Sequence, residues 1–159
     1  MSEDARFEDG GDKPLRLMAV DAADLEVSST LVQDAVFPAT EMSWRPKSRE
    51  FALLLNRFRW EDASAAAAKG RDVERVQSVL LFGDVQKVQC QGVEKGDGDV
   101  VMSLLSLSWE PGEDGTGRIV LTLAGDGAIA LDVETVDAKL RDVTRPYRAP
   151  SRKTPDHPE

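Results

Sequence analysis

Alternation of apolar and polar residues with a period of two, interrupted by Gly-Asp turns, constrains this chain more than any other feature. Between Arg118 and Ala124, the side chains of Ile119, Leu121 and Leu123 recur at every second position. Between Ala128 and Glu134, Ile129, Leu131 and Val133 do the same. Gly125-Asp126-Gly127 separates the two runs. Successive side chains of an extended chain point to opposite faces, so each run reads as a strand with one buried face. The short Gly-containing link makes the pair an antiparallel hairpin. Leu105, Leu107 and Trp109 alternate with Ser106 and Ser108, which predicts a further strand over Val100–Trp109. Val76–Phe82 and Val85–Gly92 flank a second Gly-Asp pair at Gly83-Asp84, and Val88 and Cys90 share one face.

The rest of the chain adds one helix and more strands. Leu15–Val20 predicts a first strand. Asp21 is a good N-cap, with Asp24 in capping-box position, and predicts a helix to about Ala35 with Leu25, Val32 and Ala35 on one face. Pro38 stops it. Thr40–Arg45 and Phe51–Trp60 read as strands around the turn Arg45-Pro46-Lys47-Ser48. The apolar face switches from Phe51, Leu53 and Leu55 to Phe58 and Trp60, which predicts a bulge at Asn56-Arg57. Asp62–Glu74 is short of large apolar residues and reads as a surface excursion, with Ser64–Gly70 a short helix or a loop. Val136–Val143 fits a strand or a short helix.

These elements predict a mainly antiparallel α+β domain over residues 15–143, with about eight strands and one N-terminal helix. One order of landmarks occurs twice. Trp60-Glu61, Arg75-Val76, Gly83-Asp84 and Val93-Glu94 are matched by Trp109-Glu110, Arg118-Ile119, Gly125-Asp126 and Val133-Glu134. Such an internal repeat would give two similar meanders, packed as a sandwich or closed like a barrel. Residues 1–14, polar and acidic, read as a disordered leader. Residues 144–159 hold Pro146, Pro150, Pro155 and Pro158 and read as a flexible tail.

Residue inventory removes several kinds of chemistry. His157 is the one histidine and lies in the tail, so a histidine-based catalytic centre or zinc site is not expected. Cys90 is the one cysteine; it permits no internal disulfide and reads as a small buried hydrophobe. No phosphate-binding glycine motif is present, and Gly96-Asp97-Gly98-Asp99 lacks the further oxygen ligands of a calcium loop and reads as a turn. No catalytic residue, metal or cofactor is therefore expected. The apolar runs are too short for a membrane-spanning helix and the start is acidic, so a cytoplasmic protein is expected.

The net charge is −9, which disfavours nucleic acid as a partner. Its positive charge is concentrated in two places. Between Trp44 and Trp60, five cations stand against Glu50 alone, and between Arg141 and Lys153 five stand against Asp142. The first stretch also holds two tryptophans and two phenylalanines. Arginine beside aromatic side chains suits stacking and two-pronged contacts with carboxylate or phosphate. Trp44, Arg45, Arg49, Asn56, Arg57, Arg59 and Trp60 are thus the candidate ligand-binding residues. A simpler arrangement puts Arg57 and Arg59 in solvent with Phe58 and Trp60 in the core, the arginine stems covering apolar surface. The expected function is non-enzymatic binding or scaffolding through residues 44–60, as a homodimer or with an acidic protein partner. The alternative is a binder of, or minor enzyme for, an anionic metabolite held by Arg49, Asn56, Arg57 and Arg59.

The segments Leu15–Leu25, Leu31–Val36, Phe51–Glu61, Leu104–Gly112 and Gly125–Glu134 resemble a bacterial family known as domain of unknown function 2948. Asn56-Arg57-Phe58-Arg59-Trp60-Glu61 is the most specific piece. The resemblance covers about Leu15 to Val143 and implies no activity, cofactor or site residue. It leaves the leader and the tail outside the match.

Overall fold

The computed structural model describes residues 13–93 and 100–147. Residues 1–12 of the expected leader (1–14), the Gly96–Asp99 turn, and residues 148–159 of the expected tail (144–159) lie outside the described residues. Ten strands form one sheet: β1 (Arg16–Ala19), β2 (Ala35–Pro38), β3 (Met42–Arg45), β4 (Glu50–Phe58), β5 (Arg75–Phe82), β6 (Val85–Gln91), β7 (Val101–Pro111), β8 (Gly117–Leu123), β9 (Ala128–Val133) and β10 (Ala138–Asp142). Helix α1 (Ala22–Leu31) follows β1, and the short α2 (Ala63–Ala68) follows β4. The mainly antiparallel α+β class holds, with ten strands rather than eight and a second helix.

The strands run in the order β1-β10-β5-β4-β2-β7-β8-β9-β6, and β3 pairs with β4 beside β2. The sheet does not close, which corrects the barrel-like alternative. The pattern of two similar meanders also fails. β7, β8 and β9 are paired in succession, but β5 and β6 are not paired with each other. The Gly83-Asp84 link carries the chain from β5, third in the order, to β6 at the far end. It is pinned where Gly83 N–H donates to Asp137 O and Glu134 N–H donates to Asp84 O.

One apolar core holds both halves of the sheet. Leu53 and Leu80 belong to the same buried cluster as Leu121, Ile129 and Leu131, so the sheet curls its inner face around them. Each fully buried Leu, Ile or Phe side chain contributes about 1.5–3 kcal/mol. β10, left open by the sequence, is a strand whose Ala138, Leu140 and Asp142 face inward.

Local chemistry sets several boundaries. Asp24 N–H donates to Asp21 Oδ1 at 2.8 Å and Val20 N–H to Asp24 Oδ2 at 3.1 Å, so both aspartates cap the start of α1. The helix stops at Leu31, and Ala35 belongs to β2 instead. Asp34 turns the chain with a left-handed φ of 64°. In β7 the register slips between Leu104 and Ser106, so Leu104 and Leu107 face the core and Leu105 faces solvent. Ser29 of α1 accepts a hydrogen bond from Leu107 N–H at 2.9 Å there. Gly117 sits under the Trp109 ring, where an added Cβ would overlap the indole and Glu110 O.

Candidate functional site

β4 carries most of the expected site residues, and its inner row explains where they go. Its pairing with β5 runs unbroken from Phe51↔Phe82 to Phe58↔Arg75, so no bulge occurs at Asn56-Arg57. The inner row continues as Phe51, Leu53, Leu55 and then Arg57. Arg57 is 0% exposed, which corrects the expectation that it faces solvent. Phe58 is buried on the opposite face, stacked on Trp60 with 5.2 Å between ring centres and covered by the Arg75 guanidinium at 4.6 Å.

A buried guanidinium needs paired charge and hydrogen-bond acceptors, and Asp142, Glu61 and Ser78 supply them. Arg57 Nη2 donates to Asp142 Oδ1 at 2.9 Å on β10, and Arg57 Nε donates to Ser78 Oγ at 3.1 Å on β5. Its two terminal nitrogens each donate to Glu61 at 2.8 Å, in a fork. Ser78 Oγ donates to Asp142 Oδ1 at 2.7 Å, and Leu15 N–H donates to Asp142 Oδ2 at 2.8 Å. Burial pushes the Arg57 pKa down, but hydrogen bonds and charge from Glu61 and Asp142 hold it above its ordinary value. Burial likewise pushes the Glu61 carboxyl up, and Arg57 more than reverses that, leaving it below the usual carboxylate range. Ser78 is 0% exposed, so its hydroxyl is a structural donor with no access to a substrate.

Arg59 is buried too, at 4% exposure, against the expectation that it faces solvent. Arg59 Nη1 donates to Glu74 at 2.8 Å and to Asp62 at 3.4 Å, and Arg71 donates to Asp62 at 2.7 Å. The stretch that reads as a plain surface excursion therefore supplies the counter-charges for Arg59, just past the end of β4, and Ala66 of α2 is fully buried. Trp60 Nε1 donates to Gln33 O at 2.8 Å. Asn56 lies on the outer face, and its Oδ1 is buried with no hydrogen-bond partner.

Arg49 stands at the other end of β4. Its guanidinium meets Glu134 at 2.8 Å in an exposed pair, worth about 0–1 kcal/mol. Eight residues of extended chain put Arg49 about 26 Å from Arg57. Arg49, Arg57 and Arg59 therefore do not share one cleft. Trp44 and Arg45 lie near Arg49, and Trp60 lies near Arg57 and Arg59.

A concave feature lies at the Trp44 end. β3 pairs with β4 alone, and β6 pairs with β9 alone, so each leaves one edge unpaired. Val85 N–H donates to Arg49 O at 2.9 Å, which draws the start of β6 to the β3–β4 turn. Beyond that bond the two strands enclose a cavity of about 330 Å³ walled by Met42, Trp44, Phe51, Val88 and Cys90. Cys90 is half-buried in this wall, not in the core. Arg45, set opposite Glu50 on the outer face of β4, and Lys47 in the turn that follows are exposed and make no ion pair among the described residues. Sequence reading singled out Trp44 and Arg45 but missed Met42, Val88 and Cys90. The shared face of Val88 and Cys90 is the signal that could have found them.

Among the described residues no cluster of three His, Cys, Asp or Glu side chains is arranged to hold a metal ion. Among the described residues no helix is long and apolar enough to cross a membrane. Fold and site together define a β-rich domain with one curled, unclosed sheet and an apolar cleft at its seam. The chain belongs to the family described as protein of unknown function (DUF2948), whose model matches residues 15–157. The match reaches into the proline-rich tail, so the tail is not outside the family as expected. No curated protein and no solved structure matches the chain.

Proposed function

We propose that this protein is a non-enzymatic binding module that holds an acidic segment of a partner protein at the seam between β3 and β6. An apolar side chain of the segment enters the cleft beside Trp44. Its carboxylates meet Arg45 and Lys47. The observation that carries this reading is the apolar cleft walled by half-buried Trp44 between two unpaired strand edges, on a strand whose end and following turn hold Arg45 and Lys47 with no ion pair among the described residues, in a chain of net charge −9. Half-buried aromatics flanked by cations are the residue types that dominate binding energy at protein interfaces. The anionic-metabolite alternative has weaker support, because Arg57 and Arg59 direct their donors at this chain's own carboxylates.

The test is co-purification of a tagged chain with its natural partner, comparing the parent with Trp44→Ala and with Arg45→Glu/Lys47→Glu. The expected result is loss of the partner from both variants at an unchanged melting temperature. Retention of the partner by both would refute the reading.

A further inference from the structure

The outer face of β1, β10, β5 and β4 forms a second surface, on the opposite side of β4 from the seam cleft. Directly opposed residues of antiparallel strands share a face. The register therefore sets Met18, Lys139, Leu81 and Ala52 in one row across four strands. It sets Arg16, Arg141, Val79 and Leu54 in the next. Val79, Leu81 and Leu54 are half-buried, and Met18 is 57% exposed. Arg16, Lys139 and Arg141 are exposed and wall two shallow cavities of about 280 and 290 Å³ over this apolar floor.

The charges here are arranged against the fold's own interest. Arg16 lies directly opposite Arg141, and like charges in that position are destabilising. Lys139 is two residues from Arg141 on the same face. Among the described residues none of the three makes an ion pair. Protection of a sheet edge would explain Arg16 on β1. It does not explain Lys139 and Arg141, because β10 is paired on both sides. Helix α1 packs on β1 and β7 and does not cover this face.

We infer that this face docks an amphipathic acidic helix of a partner protein. Helices are the usual cover for an apolar sheet face. Four strands span about 14 Å, the length of two to three helical turns. Leucine-like side chains of the helix lie over Leu54, Val79 and Leu81. Its flanking carboxylates reach Arg16, Lys139 and Arg141 and relieve their repulsion. This surface lies on the opposite face of β4 from Trp44 and the cleft, and its test changes Lys139 and Arg141 rather than any residue of the seam, so it survives or fails independently.

The probe is a synthetic helical peptide of about 18 residues with leucine on one face and glutamate on the other. A peptide of the same composition in scrambled order is the control. Amide NMR shifts of the full chain are followed during titration. Shifts confined to β1, β10 and β5, with the scrambled peptide at least about tenfold weaker, are expected. Lys139→Glu/Arg141→Glu should abolish those shifts while the melting temperature stays the same or rises, because a carboxylate would then stand opposite Arg16. No binding, equal binding of the scrambled peptide, or binding that survives the charge reversal would overturn the proposal. So would shifts at these strands from dilution of a self-associated chain, or from vesicles of phosphatidylserine with none from the peptide.

Discussion

Replacing Arg57 by alanine removes every donor that faces Asp142 from β4. Asp142, whose side chain is 2% exposed, keeps only the Ser78 hydroxyl and the Leu15 N–H. Glu61 is 30% exposed and can turn to water, so most of the loss falls on Asp142. Breaking a buried pair from one side costs about 3–5 kcal/mol, because the remaining charge stays in a poor solvent. At this chain length each kcal/mol moves the melting temperature by about 2–4 °C, so a drop of roughly 6–20 °C is expected. Urea denaturation followed by tryptophan fluorescence gives the free energy directly. The triple variant Arg57→Met, Ser78→Ala, Asp142→Leu removes all three polar partners together and should recover most of the loss. A loss below about 1 kcal/mol for Arg57→Ala would refute the reasoning, since that is the range of a surface substitution.

Three other perturbations probe separate parts of the fold. Glu61 has a folded pKa below its unfolded value, so its contribution is present at neutral pH and disappears as pH falls through that lowered folded value. Melting curves from pH 6 to pH 3 should therefore show a shallower acid decline for Glu61→Gln than for the parent chain. Gly117→Ala places a Cβ against the Trp109 ring and Glu110 O, and should cost about 1–3 kcal/mol with a blue-shifted or quenched indole emission. Ser29→Ala leaves the N–H of Leu107 at the β7 bulge without its acceptor and should cost about 1 kcal/mol in the same urea assay.

Local patterns in the sequence identified strands where one face is wet. β8 and β9 lie where Ile119, Leu121, Leu123 and Ile129, Leu131, Val133 alternate, and their turn is Gly125-Asp126-Gly127. Long-range pairing was not legible. Nothing local to Gly83-Asp84 separates a hairpin turn from a crossing, because the choice rests on β10 and β9 competing for β5 and β6. Arg57 was misplaced for a related reason. Its inward position obeys the alternation, but its buried counter-charge, Asp142, comes 85 residues further on. The same blindness hid α2's neighbourhood, where Asp62 and Glu74 neutralise Arg59. Of the candidate site, Trp44 and Arg45 were readable as an aromatic beside a cation. The opposing wall was not, since β6 reaches β3 only through the curl of the sheet.

The partnership of Arg57 with β10 also bears on how the chain is made. A ribosome adds about 5–20 residues per second, so Asp142 emerges roughly 4–17 seconds after Arg57. Throughout that interval β4 cannot settle into the core without burying a guanidinium that has Glu61 but lacks Asp142. β1 waits equally long for β10, its one neighbour in the sheet. Completion of the domain is thus gated by synthesis of its last strand. A chain interrupted before Ala138 should remain open to proteases, so the same ion pair that stabilises the finished protein marks the unfinished one for disposal.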